Sequence, residues 1–141
     1  MLVRLMYASR ATEALPEGLV ESIVQQARRS NPELGVTGVL CHGGEVFLQV
    51  LEGGREPVNA LYNRIVCDRR HRQVTLLQYE EILERRFGGW TMGQVNLAKV
   101  NSSTLLKYSE RALIDPYALP GRISAALTEE LIVTASIVGR C

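Results

Sequence analysis

Tyr7 and Gln49 are the two polar residues whose surroundings in this sequence call for an explanation. Tyr7 lies in the run Leu2 to Ala8, where Val3, Leu5 and Tyr7 alternate with Leu2, Arg4 and Met6. That period of two is the pattern of a strand, and it puts the phenol on an apolar face. Gln49 sits between Phe47 and Leu51 on one face of an equally apolar run. A buried glutamine needs partners for both its carbonyl and its amide, or it costs about 1–3 kcal/mol. If the two strands are neighbours, phenol and amide come within hydrogen-bonding reach. Such a pair reads either as a satisfied core contact or as the working part of a site. Other catalytic patterns are missing: there is no GxGxxG, no HExxH, no Ser-His-Asp order and no cluster of carboxylates.

Two helical stripes could supply a pocket beside this pair. Ile23, Val24 and Ala27 on one, with Leu61 and Ile65 on the other, would form an apolar slot of the kind a planar ring needs. Asn31, Gln49 and Arg64 are the candidate polar groups for the edge of such a ring. Trp90 reads equally as an ordinary buried residue of the sheet. Arg69, Arg70 and Arg72 read as a solvated loop. Cys41, Cys67 and Cys141 lack CxxC or Cys-His spacing, so free thiols in a reducing compartment are expected. His42 and His71 are too few and too far apart for a zinc site.

The elements that position these residues follow from periodicity. After the first strand, Pro16 suits the first turn of a helix carrying Val20, Ile23, Val24 and Ala27, which should stop at Asn31-Pro32. Val36 to Cys41 and Glu45 to Glu52 read as a hairpin about His42-Gly43-Gly44. A second helix carries Val58, Leu61, Tyr62 and Ile65, and the polar loop Asp68 to Arg72 follows it. Val74 to Tyr79 and, more weakly, Thr91 to Val95 complete the set of strands. The order βαββαββ predicts an α+β, ferredoxin-like fold with a mixed five-stranded sheet and both helices on one face.

From Asn101 the character changes. Ser102 or Ser103 is expected to cap a short helix with Leu105 and Leu106. Pro116, Pro120 and Gly121 then precede a last helix with Ile123, Leu127, Leu131 and Ala135 spaced by four. We expect residues 1–96 to form one domain and residues 97–141 a helical extension that caps the other face of the sheet.

Composition narrows the functional classes. With 141 residues, 46% apolar and 22% charged, the chain has globular rather than disordered composition. Sixteen basic and fifteen acidic residues give a net charge of +1, which advertises neither nucleic acid nor a membrane surface. Apolar runs are too short to span a bilayer and Met1-Leu2-Val3-Arg4 opens no signal pattern, so a cytoplasmic location is expected.

Taken in order, several short motifs make a more specific pattern. They are Tyr7-Ala8-Ser9, Ser30-Asn31-Pro32 with Gly35-Val36-Thr37-Gly38, and Phe47 to Gly53. Asp68-Arg69-Arg70-His71, Arg85-Arg86-Phe87 and Trp90-Thr91-Met92 follow. The series resembles the BLUF family of bacterial blue-light sensors that use FAD, over about residues 1–96. The stretch Leu105 to Ser109 is also similar to the tail of cyanobacterial short forms, so a stand-alone sensor without an enzyme domain is expected.

The resemblance implies non-covalent FAD, with FMN or riboflavin as substitutes, held between the two helices. It implies that Tyr7 is the light-active tyrosine and that Gln49 lies between it and the flavin. Asn31 would bind the pyrimidine edge of the ring and Arg64 would contact the flavin. Asp68 and His71 would lie near its ribityl and polar edge. Trp90 and Met92 would be the pair that exchange places near the glutamine. Ser30, Phe47, Ile23, Val24, Ala27, Leu61 and Ile65 would complete the surroundings. Output would pass through protein contacts, as a homodimer, a higher homo-oligomer or a complex with a downstream protein. Two other classes fit the same fold: a small acylphosphatase-like enzyme and a cofactor-free interaction module. The enzyme reading has Arg10 after the first strand but lacks a glycine-rich phosphate cradle.

Overall fold

A computed structural model describes residues 1–12, 18–134 and 136–139. The expectations for Pro16, Ala135 and Cys141 lie outside the described residues. Five strands, β1 (Leu2–Ala11), β2 (Thr37–Gly43), β3 (Val46–Gly54), β4 (His71–Ile82) and β5 (Gly93–Asn96), form one sheet in the order β4-β1-β3-β2-β5. All pairings are antiparallel except β2 with β5, so the sheet is mixed.

Alternation along the strands sends side chains to two separate cores. Val3, Leu5, Tyr7, Leu40 and Leu51 face helices α1 (Leu19–Leu34) and α2 (Arg55–Val66). Met6, Val39, Cys41, Leu48 and Val50 face the C-terminal part of the chain, including Leu105 of α3 (Ser102–Leu106) and Leu127 and Leu131 of α4 (Gly121–Val133). Both faces are covered, which is why the central strands read as nearly continuous apolar runs. The expected arrangement of two helices on one face and a helical cap on the other is present.

Several boundaries differ from the sequence reading, each for a local reason. Helix α1 does not stop at Asn31-Pro32 but runs to Leu34. Its end is set by Gly35 at φ 68°, where the N–H of Val36 donates to the carbonyl of Asn31 and that of Gly35 to Pro32. This six-to-one and five-to-two pairing is a Schellman ending, and it carries the helix past the proline. The hairpin turns at Gly44-Glu45, with Gly44 at φ 58° and Gly43 still paired to Val46, so His42 is a strand residue. The cap of α3 is Asn101, whose side chain accepts from the N–H of Ser103, rather than either serine. The fifth strand starts at Gly93, leaving Trp90 and Met92 in the segment before it.

Leu127 and Leu131 are fully buried against the sheet of their own chain. They hold α4 in place and are not available as an intermolecular surface. Cys41 is buried and Cys67 exposed, and both are free thiols. Among the described residues no helix is long and apolar enough to cross a membrane.

Candidate functional site

The register of the sheet brings the two polar residues of the helix-facing core together. Tyr7 on β1 is directly opposite Gln49 on β3, and Leu40 on β2 flanks Gln49 from the other side. The Tyr7 hydroxyl donates to Gln49 Oε1 in a short hydrogen bond. Gln49 Nε2 donates to the sulfur of Met92 at 3.4 Å. The amide of this buried glutamine is therefore engaged at both ends, as its burial requires. Burial pushes the Tyr7 phenol well above the ordinary tyrosine range, and the nearby Tyr62 and Asp68 add to the shift. Tyr7 thus stays protonated at neutral pH. Its ring lies 5.7 Å from that of Tyr62 and makes an edge contact with His71 at 6.4 Å.

Above this pair a cavity of about 190 Å³ opens between α1 and α2. Of the residues singled out in the sequence, Tyr7, Ile23, Ala27, Ser30, Asn31, Phe47, Gln49, Leu61, Arg64, Ile65, Asp68, His71 and Met92 line it. Two do not. Val24 is completely buried beneath α1 and belongs to the core rather than the wall. Trp90 packs on the opposite face of the sheet, with its ring 6.5 Å from that of Phe87. Because residues 90–92 precede β5, Trp90 and Met92 are free of strand alternation and go to opposite faces; Met92 takes the place beside Gln49.

Gln26 and Leu40, which the sequence reading omitted, also line the cavity, as does Arg70, which was read as part of a solvated loop. Gln26 lies three residues after Ile23 and four before Ser30, so helical spacing was signal enough to find it. Leu40 carries no such mark; only the β2–β3 register reveals it.

The polar wall is largely tied down by the protein itself. Asn31, 1% exposed, donates from Nδ2 to the carbonyl of Thr91 at 3.1 Å. Its Oδ1 and second N–H are the amide's remaining capacity. Ser30 returns its hydroxyl to the carbonyl of Gln26 in its own helix. His71 bridges Ser9 Oγ, 2.9 Å from Nδ1, and the carbonyl of Ile65, 2.5 Å from Nε2. A proton on Nε2 suits the carbonyl, so Nδ1 accepts from the serine. Arg70 grips Asp68 with its side chain and its backbone N–H, holding that carboxyl below its usual range. Arg64 stands exposed at the rim. The arrangement is an apolar slot with a phenol–amide pair at its floor and an asparagine at one end.

Arg10, the residue on which the acylphosphatase-like reading depended, has its guanidinium 4.4 Å from the centre of the Tyr117 ring in the C-terminal part of the chain. Among the described residues no group of three or more His, Cys, Asp or Glu could hold a metal ion.

The family profile described as "Sensors of blue-light using FAD" matches residues 2–93. The chain is 38% identical over 88 residues to the blue light- and temperature-regulated antirepressor BluF of Escherichia coli (strain K12), covering 62% of this chain and 22% of that protein. It is 36% identical over 92 residues to photoactivated adenylate cyclase subunit beta of Euglena gracilis, covering 64% of this chain and 11% of the other. The chain thus spans only a minor part of these curated relatives. Some solved structures match over nearly their whole length. BlsA in its photo-activated state superposes with a TM-score of 0.82 at 32% identity, covering 94% of this chain and 96% of that one. The dark-state structure of BlrB, a BLUF protein, gives a TM-score of 0.80 at 29% identity, covering 95% and 96%.

Proposed function

Since this chain belongs to the BLUF family of blue-light sensors that use FAD, we propose that it is a flavin-binding photoreceptor whose reactive pair is Tyr7 and Gln49. One observation carries the reading: the Tyr7 hydroxyl is hydrogen-bonded to an amide that forms the floor of the cavity. The donor set suits a flavin. Ile23, Ala27, Leu61 and Ile65 offer apolar faces to a flat ring, while Asn31 and Gln49 offer paired donor and acceptor groups to its edge. Arg64 at the rim offers positive charge toward a phosphate-bearing tail. FAD is the proposed cofactor. FMN and riboflavin carry the same ring and are substitutes; a related structure, of Klebsiella pneumoniae BlrP1, is described with FMN.

When bound and excited by blue light, flavin supplies a one-electron oxidant. Tyr7 would be the electron donor, and its phenolic proton would pass along the hydrogen bond already made to Gln49 Oε1. With electron and proton back on Tyr7, Gln49 would be left rotated or tautomerised, with donor and acceptor exchanged. A terminal amide suits this role because its two ends differ in hydrogen-bonding sense but little in shape. The element with two states is this hydrogen-bond network, which light biases.

In this reading residues 1–96 form the sensor and residues 97–141 the extension through which output leaves. The output is a protein contact, through self-association or a downstream partner, rather than catalysis. The test is an absorption spectrum before and after blue light, followed by dark recovery. A yellow protein with a small reversible red shift is expected. A colourless protein that fails to take up added FAD overturns the reading.

A further inference from the structure

Three consecutive carbonyls before β5 are held by donors on two elements, one on β2 and two on α1. The N–H of Gly38 on β2 donates to Trp90 at 2.9 Å, Nδ2 of Asn31 to Thr91 at 3.1 Å, and Nε of Arg28 to Met92 at 3.2 Å. Arg28 stands apart from the other two because it also reaches the C-terminal end of the described chain. A Cβ built on Gly139, which has φ 93°, would lie 2.0 Å from Arg28 Nη2, so the guanidinium is packed on that glycine. One residue earlier, Val138 exchanges both backbone hydrogen bonds with Gln94 of β5, at 2.9 and 3.0 Å. Ile137 lies against Gly93, where a Cβ would fall 2.6 Å from its Cγ2. Val138 therefore adds a single antiparallel bridge to the edge of β5, and Arg28 touches both this segment and the backbone of Met92.

We propose that Arg28 is a positioning residue of the light response, holding Met92 against Gln49 and latching residues 136–139 onto β5. The proposal rests on the photoreceptor reading above. With Gln49 as it stands, Nε2 faces the Met92 sulfur. An amide with its ends exchanged turns an oxygen toward that sulfur, and the two acceptors repel. Met92 then withdraws, its carbonyl leaves the guanidinium, and the segment at Gly139 loses one side of its packing. A rearrangement at the amide thus becomes a change in the protection of a backbone pair at the edge of the sheet. Arginine suits the position because a planar guanidinium can serve two neighbours at once, whereas a lysine offers a point charge.

The test is hydrogen exchange at the Gln94 and Val138 amides of the flavin-loaded full chain, in darkness and in light. In the unaltered protein, light should speed exchange at both amides. In Arg28→Ala they should exchange faster in darkness by about tenfold, the loss expected for one hydrogen bond to a charged group. Light should then add nothing, while exchange in β1 and β3 stays as in the unaltered protein. Gly139→Ala forces the guanidinium aside from the opposite end, so it should give the same result even if Arg28→Ala folds poorly. Arg28→Lys should restore only part of the protection. Equal dark protection in the unaltered protein and both alanine variants overturns the latch, as does a light response that survives in them. Absence of a red shift in the unaltered protein overturns the photoreceptor reading instead, and the dark comparison still decides whether Arg28 holds the segment.

Discussion

Nε2 of Gln49 is 3.4 Å from the sulfur of Met92, which makes a thioether the partner of the amide end not used by Tyr7. Sulfur is a weak acceptor, so this contact favours the present amide orientation only modestly. Tyr7 discriminates little, because a phenol can either donate to Oε1 or accept from Nε2. On the photoreceptor reading, neither partner strongly favours one orientation of Gln49, and Met92 supplies the bias.

Met92→Leu keeps the volume and removes the acceptor, at a stability cost below about 1.5 kcal/mol. Losing the sulfur contact removes a preference for the dark orientation. Dark recovery of the flavin absorption should be slower than in the unaltered protein. Unchanged recovery shows that the sulfur does not bias the amide.

Tyr7→Phe should bind flavin but show no red shift, since phenylalanine fills the site and has no proton to give. It leaves Gln49 Oε1 without its donor and should cost about 1–3 kcal/mol of stability. Gln49→Leu should likewise bind flavin and fail to shift. Difference spectra and chemical unfolding of both variants check these outcomes.

Asn31→Ala should act in two places, because one side chain lines the cavity and holds the Thr91 carbonyl. Flavin retention should fall by roughly tenfold or more, matching a lost buried hydrogen bond of about 1–3 kcal/mol. The apo protein should also be destabilised, through the orphaned carbonyl. Occupancy after dialysis and the melting temperature of the apo form report the two effects separately.

Alkaline pH should find the buried phenol. The ordinary tyrosine value is 10.0, and burial raises that of Tyr7 above it. A raised folded-state pKa means that its contribution to stability is complete below the unfolded value. It declines by about 1.4 kcal/mol per pH unit above that value, until the folded-state pKa is reached. Tyr7→Phe should remove this component, so the stability difference between the two proteins should narrow as pH rises past 10.0. A constant difference across that range would falsify the assignment.

The sheet and the pairing at its centre were legible in the sequence because alternation fixes which residues share a face. Once β1 and β3 are neighbours, Tyr7 opposite Gln49 follows from one register. The end of α1 was not, because Pro32 signals a stop while Gly35 and the carbonyls of Asn31 and Pro32 offer a better-satisfied ending three residues later. Val24 shows the limit of periodicity: a helical stripe contains both the residues under a helix and those beside a cavity, and spacing alone does not separate them. Trp90 was named beside Gln49 by resemblance alone, and because residues 90–92 lie outside β5 no strand alternation says which of Trp90 and Met92 faces the amide. Arg28 carried no signal, since its partners are two backbone groups from distant parts of the chain.

The first strand in the sequence lies inside the sheet, between β3 and β4. Its two edges are filled by segments that follow it by dozens of residues, so native pairing depends on closing long loops, and such topologies fold slowly. The cavity draws on α1, α2, four strands, the loop before β4 and Met92, so it does not exist in any partly assembled piece of the chain. A ligand that binds there recognises only the finished fold. Free ligand at a hundred times its dissociation constant then deepens the native well by about 2.7 kcal/mol. Flavin supply during expression should accordingly set how much folded protein accumulates, independently of any exposure to light.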